Sequence, residues 1–232
     1  MVRKKEDGSG TGRLSRRESR RLLISGAHLL GVSLDAIKVA ACERFLDELI
    51  KWNQRMNLTA LRDERSIIVR HFLDSFTLVK YLPEAGSLLD IGSGAGFPGI
   101  PLKIVRPSLQ VILLEASRKK TYFHRHIIRS LGLSDIESIW GRSDQGEIRT
   151  NLDSCFDVVV SRATIPLEHF LREAIHFIAP NGFIIGMKGG NRKTTIPSVF
   201  SSLMLYRTVS TELPFERLKR SLLFFRKVAP PV

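Results

Sequence analysis

One stretch limits the fold more than any other: Leu88-Leu89-Asp90-Ile91-Gly92-Ser93-Gly94-Ala95-Gly96-Phe97-Pro98-Gly99. An apolar run ends in a carboxylate, turns through closely spaced glycines and meets a proline that fits the first turn of a helix. Strand, glycine turn and helix in that order belong to an open α/β sheet. There, backbone free of Cβ atoms approaches a ligand at the carboxyl end of a strand.

The ligand class follows from charge. Gly94 to Gly99 satisfy the dinucleotide pattern G-x-G-x-x-G, which taken alone admits an NAD(P)-linked oxidoreductase. Asp90 points the other way. A carboxylate just before the loop repels a pyrophosphate and wastes the helix N-terminus as an anion site. It suits a ligand with positive charge and no phosphate, such as S-adenosylmethionine with its ammonium and sulfonium. Glu115, ending the next apolar run, can accept hydrogen bonds from the ribose hydroxyls of either cofactor class.

Around this loop the chain divides in three. Residues 1–21 carry eight basic and three acidic side chains with few bulky apolar ones, which predicts a disordered, solvated basic tail. In 22–83, Leu34, Ile37, Ala41, Phe45, Leu49, Trp52 and Met56 recur at helical spacing behind Ser33 as N-cap. A second helical pattern over 66–81 stops before Pro83, so 22–83 is expected to form a helical cap. Residues 84–232 alternate strand runs (87–91, 110–115, 136–140, 156–161, 182–187) with helices (98–105, 118–131, 167–179). This is the pattern of a parallel sheet covered on both faces. Two further extended runs, 203–213 and 221–228, lack room for a crossover helix and should pair antiparallel.

Composition narrows function further. No apolar run approaches the roughly 18–20 residues of a spanning helix, so no membrane span is expected. Ser15-Arg16-Arg17, the apolar stretch 22–32 and Cys42 imitate an export signal, but Asp35 and Lys38 interrupt it, and Cys42 reads as a buried thiol. Two cysteines cannot build a disulfide framework or a four-ligand zinc site. The net charge of +13 predicts attraction to polyanions, nucleic acid first. Basic residues gather at Arg118, Lys119, Lys120, Arg125 and Arg129, and again over 217–227; they establish a positive field rather than particular contacts. Tyr122 and Phe123 read as core.

The ordered set of motifs resembles one family over about 45–228, the small-subunit (16S) rRNA guanine-N7 methyltransferases, or glucose-inhibited division protein B family. The markers are Trp52-Asn53, Asn57-Leu58-Thr59, His71-Phe72-Leu73-Asp74-Ser75, the glycine loop through Leu102, Lys119-Lys120, Ser161-Arg162-Ala163 and Lys188-Gly189. The resemblance implies a Rossmann-like class I S-adenosylmethionine-dependent methyltransferase: a mostly parallel seven-stranded sheet with an antiparallel last strand, plus the N-terminal cap. It implies methyl transfer to N7 of one guanosine in the 530 loop. The expected partner is 16S rRNA or the small ribosomal subunit, met by a cytoplasmic monomer that needs no metal and no membrane. By matched position Gly92, Gly94 and Phe97 would contact the cofactor with Asp90 and Glu115, and Arg162 would serve cofactor and substrate. Ser143-Asp144 stands where the family holds the adenine with a small residue and Glu; Asp is one methylene shorter.

Guanine N7 carries a lone pair and no proton, so its methylation needs placement and not a general base. The absence of a His/Asp or Cys/His dyad fits that chemistry. His71 and Asp74, three apart, imitate a dyad and read equally as a packed or capping polar pair. Asn57 and Thr59 read as loop-shaping residues. Arg162 is the best candidate for a working side chain, its planar fork suited to guanine or phosphate, or else a salt-bridge partner of Asp90 or Asp144. Lys188 is expected to meet phosphate. A non-catalytic RNA-binding assembly protein is the remaining alternative, against which the intact Asp90, glycine run and Glu115 count.

Overall fold

A computed structural model describes residues 14–162, 166–190 and 202–228. Helix α1 (Arg16–Leu29) starts inside the stretch expected to be disordered. Ser15 caps it, accepting from the Glu18 N–H while Glu18 accepts from the Ser15 N–H at 2.8 Å. The Ser19 hydroxyl donates to buried Glu64 at 2.6 Å, and Leu23 and Ala27 continue the same face into the core. Arg16 and Arg20 reach Asp47 and Glu43 of the next helix, each at 2.8 Å. Charge counting missed this because the arginines have partners and the small apolar face recurs at helical spacing. The rest of the expected tail, 1–13, lies outside the described residues.

Helix α2 (Ala36–Met56) is capped by Asp35, which accepts from the Lys38 N–H at 2.8 Å, so Ser33 is not the N-cap. Its inner face is Val39, Cys42, Phe45, Leu46, Leu49 and Asn53. Ile37, expected on that face, is 82 % exposed, because the first turn overhangs the core. Cys42 is buried as expected, and burial pushes its thiol far above the usual range. The expected helix over 66–81 is broken into α3 (Glu64–Ile67), a π-helical stretch Ile68–Leu73, α4 (Asp74–Phe76) and a 3₁₀ turn Val79–Tyr81.

The sheet has seven strands in the order β3-β2-β1-β4-β5-β7-β6. They are β1 (Gly86–Ile91), β2 (Leu109–Glu115), β3 (Ile136–Trp140), β4 (Phe156–Arg162), β5 (Ile178–Gly189), β6 (Leu203–Glu212) and β7 (Lys219–Lys227). Pairings among β1 to β5 are parallel, whereas β7 runs antiparallel to both β5 and β6. The antiparallel last strand is therefore slotted inside the sheet, and β6 takes the edge. Helices α5 (Gly99–Val105), α6 (Arg118–Leu131), α7 (Gly146–Leu152) and α8 (Leu167–Phe177) complete the fold. Sequence reading missed α7, which buries no residue and so shows no apolar period.

Alternation along the strands divides the core. Leu88, Val158, Val160 and Ile185 face one apolar cluster; Leu89, Val159 and Ile184 face a second under α8. The first cluster also contains Leu23, Phe45, Leu49, Phe72 and Phe76, so the cap and the sheet share one core. Its hub is Phe97 of the glycine loop, stacked on Phe45 with centroids 4.9 Å apart and edge-on to Phe72 at 5.3 Å. Removing the Phe45 ring leaves a cavity under the loop. Phe45→Ala should cost about 3–5 kcal/mol in urea denaturation, whereas Ile37→Ala on the same helix should stay within about 0.5 kcal/mol of the parent.

Candidate functional site

The chain leaves β1 toward β2 and β3 on one side and returns to β4 and β5 on the other, so strand order reverses between β1 and β4. A crevice opens outside the carboxyl ends of the strands at such a reversal. The glycine loop follows β1 there, and Arg162 ends β4 beside it. Gly92 and Ser93 donate to the Leu114 carbonyl at 2.8 and 3.3 Å, tying the turn to β2.

Gly94 is clamped on both sides of its peptide chemistry. Its N–H donates to Glu115 Oε2 at 2.8 Å, while the other Glu115 oxygen accepts from the Ser117 N–H at 2.8 Å. Its carbonyl accepts from His124 Nε2 at 2.9 Å, and His124 Nδ1 lies 2.9 Å from the Ser138 hydroxyl. A carbonyl cannot donate, so the neutral ring carries its proton on Nε2 and accepts from Ser138. With φ of +61°, Gly94 presents a Cα side where an added Cβ would meet only the Gly92 carbonyl, at 3.9 Å. The face is open and the conformation excludes most side chains. Gly99 serves packing instead: a Cβ there would come within 2.3 Å of the Leu113 side chain.

Several expected contacts are relocated. Asp90 is fully enclosed; its Oδ2 accepts from the Gly99 N–H at 2.9 Å, and its Oδ1 has no hydrogen-bond partner among the described residues. Burial raises its carboxyl to about 7 against the opposing pull of the Gly99 N–H and the Arg162 charge. Asp90 thus acts through its field and the turn it holds, not by touching a ligand. The Phe97 ring is also buried, stacked on Phe45 and on His71 at 4.6 Å, so it is a pillar beneath the loop and not a cofactor contact. Asp144 lies on an exposed turn, its carboxylate held by Arg142 at 3.2 Å and kept below the usual range by that bond. The Ser143 carbonyl accepts from Arg149 at 3.2 Å. Neither Ser143 nor Asp144 hydrogen-bonds to the glycine loop.

Arg162 is held by the cap. Its guanidinium donates to the Arg70 carbonyl at 3.0 Å, lies 3.8 Å from Asp74 and covers the Phe97 ring at 5.5 Å. Its salt-bridge partner is therefore Asp74, not Asp90 or Asp144. Asp74 also accepts from Arg220 of β7 at 2.8 Å, and burial raises its carboxyl despite both arginines. His71 and Asp74 form no dyad. His71 Nδ1–H donates to the Arg70 carbonyl at 3.1 Å and its Nε2 accepts from Thr59 at 2.8 Å. Burial, with the Arg162 charge, lowers the imidazole to about 3, so it stays neutral. Asn53 and Arg62 bind Thr59 and Asn57, giving these two the loop-shaping role expected. Lys188, half-buried near the end of β5, follows Met187, the register partner of Arg162. Ala163 lies outside the described residues.

His124 is the site residue that sequence reasoning missed. The available signal was its helical spacing with Thr121 and Ile127 on the buried face of α6, an odd place for a polar ring. Among the described residues no group of three or more His, Cys, Asp or Glu side chains could hold a metal ion, and no helix is long and apolar enough to cross a membrane.

This sheet, with its glycine turn and paired acids at the reversal, has the architecture of class I methyltransferases. MtNAS in complex with MTA and tNA shares the fold with a TM-score of 0.58 at 17 % identity, covering 92 % of this chain and 87 % of that one. A SAM-dependent methyltransferase from Aquifex aeolicus superposes with a TM-score of 0.51 at 18 % identity, over 69 % and 92 % of the two chains. A family model of rRNA small subunit methyltransferase G matches residues 38–222. The ribosomal RNA small subunit methyltransferase G of Geobacter metallireducens is 40 % identical over 89 % of this chain and 95 % of its own. The chain belongs to the rRNA small subunit methyltransferase G family.

The clamp on Gly94 makes a pH-dependent prediction. Burial holds His124 at about 4, below its ordinary 6.5, so the folded state excludes a proton that the unfolded chain binds. The stability His124 contributes is complete above about pH 6.5 and is lost as pH falls toward 4. Relative to the parent, His124→Gln should therefore recover about 2 kcal/mol between pH 7 and pH 5 in urea denaturation. A stability difference independent of pH would show that the ring is not held neutral.

Proposed function

We propose that this protein transfers a methyl group from S-adenosylmethionine to N7 of one guanosine in the 530 loop of small-subunit rRNA. The observation that carries this reading is the open, clamped Gly94 at the strand reversal, with Glu115 on one side and Arg162 across the crevice. The donor set fits the cofactor. Glu115 spends one lone pair of each oxygen on the backbone and keeps others for ribose hydroxyls. The enclosed Asp90 gives the floor negative character, which favours a cationic ligand over a pyrophosphate. No lysine or arginine hydrogen-bonds to the loop among the described residues, so nothing there replaces the phosphate contacts that NAD(P) needs.

When bound, S-adenosylmethionine supplies an electrophilic methyl that the N7 lone pair takes without any proton transfer. The chain's own task is placement. His71 has both ring nitrogens engaged and stays neutral, and Asp90 is sealed, so neither offers a base. Arg162 is pre-aimed by the Arg70 carbonyl and Asp74, and its side chain keeps 19 % exposure toward the crevice. It orients guanine or an adjoining phosphate by its planar fork. Lys188, one register step beyond Arg162, meets phosphate. In this reading the enzyme is a cytoplasmic monomer acting without a metal on rRNA of the small subunit, drawn to it by its net charge of +13.

Incubation of small subunits from cells lacking the enzyme with S-adenosylmethionine should yield 7-methylguanosine in one fragment by mass spectrometry. Methylation of another atom or base, or tight NADH binding, would remove the reading. Arg162→Ala should slow transfer by on the order of a hundredfold, with S-adenosylhomocysteine binding retained; unchanged turnover would make Arg162 structural only. RNA affinity should fall steeply with added salt, as phosphate-dominated contact requires.

A further inference from the structure

Beside the crevice, two aromatic rings stand in water. Trp140, the last residue of β3, is 54 % exposed, and Tyr122 on the second turn of α6 is 49 % exposed. Tyr122 was expected in the core with Phe123; only Phe123 is buried. The Arg118 guanidinium covers both rings, 5.3 Å from the Trp140 centroid and 5.9 Å from that of Tyr122. Trp140 is not loose. Its Nε1–H donates to the Ala116 carbonyl at 3.0 Å, which satisfies its polar edge and fixes the ring plane. An indole held in one orientation, with more than half its surface unburied, forgoes the packing gain that large rings usually supply.

Position and charge suggest the occupant. Trp140 is the register partner of Glu115, the carboxylate that braces Gly94. Two interstrand spacings, roughly 10 Å, separate β3 from β1 and the glycine loop, the scale of neighbouring nucleotides rather than of a distant surface. Helix α6 contains no Asp or Glu, its Arg125 is exposed, and exposed Arg142 follows two residues after Trp140. Aromatic faces flanked by arginine stack unpaired bases regardless of sequence, while the cations serve the phosphates.

We propose that Trp140, Tyr122 and Arg118 form a stacking platform for an unpaired base of the RNA substrate, next to the nucleotide being methylated. This rests on the ribosomal-RNA reading above. The planar rings receive the base face, Arg118 extends the stack, and the platform splays the strand so that its neighbour can enter the crevice.

The test compares the full chain with Trp140→Ala, Tyr122→Ala and Trp140→Phe, using an rRNA fragment bearing the 530 loop and, separately, S-adenosylhomocysteine. Each alanine variant should bind the RNA about tenfold more weakly. The slope of log affinity against log salt should not change, because no phosphate contact is lost. Trp140→Phe should keep most of the affinity. RNA should quench tryptophan emission in the parent more than in Trp140→Phe, which retains only Trp52. S-adenosylhomocysteine affinity and the urea midpoint should stay unchanged throughout. Equal RNA affinity in parent and alanine variants overturns the platform while leaving the methyltransferase reading intact. A selective fall in S-adenosylhomocysteine affinity also overturns it, assigning the rings to the adenine. Failure of the parent to bind or methylate RNA removes the underlying reading, and the platform with it.

Discussion

The peptide group of Gly94 is the point on which the site turns. Two rigid elements reach it from opposite sides: Glu115 from the end of β2 and His124 from the inner face of α6. Each partner is buried and itself satisfied, Glu115 by the Ser117 N–H and His124 by the Ser138 hydroxyl. A buried network in which every member is paired gains rigidity without leaving an uncompensated polar group. The loop is therefore shaped by the protein before any ligand arrives, and the open Cα side of Gly94 is a preorganised surface.

A second dependence runs through the cap. Phe97 carries the loop on its ring, and that ring rests on Phe45 and His71 from the helical region as much as on the sheet. Arg162 belongs to β4 but takes its direction from Arg70 and Asp74. Asp74 in turn bridges to Arg220 on β7. A buried charge pair of this kind is weak support for stability but strong support for geometry. The cap functions as one wall of the site, built from residues distant in sequence.

What the sequence disclosed and what it withheld divide along physical lines. Helix α6 and strand β3 match their sequence ranges because a regular apolar period runs the length of each, and the glycine turn was legible because its backbone demands leave few alternatives. The family and the cofactor class followed from that turn and from the order of motifs. Side-chain direction was not legible. Asp90 and Phe97 sit where the pattern puts them, yet both are enclosed, since one residue of spacing cannot say which side of a turn faces solvent. The π-helical stretch Ile68–Leu73 was invisible for a related reason: its wider turn breaks the period that identifies a helix. Helix α1 was obscured by arginines that find acids on α2, a tertiary fact that composition cannot contain.

The sharing of Phe97 between distant parts of the chain bears on how the molecule is made. During synthesis the amino-terminal helices emerge before the loop, and the loop emerges well before Arg162 and Arg220. Helix α2 can therefore be waiting when Phe97 arrives, but the guanidinium that covers the same ring is added only once β4 has joined the sheet. The last contacts on the substrate wall then depend on β7, close to the carboxyl end. A growing chain halted before that strand would hold a formed nucleoside crevice with its arginine unanchored, so competence for chemistry comes only as translation ends.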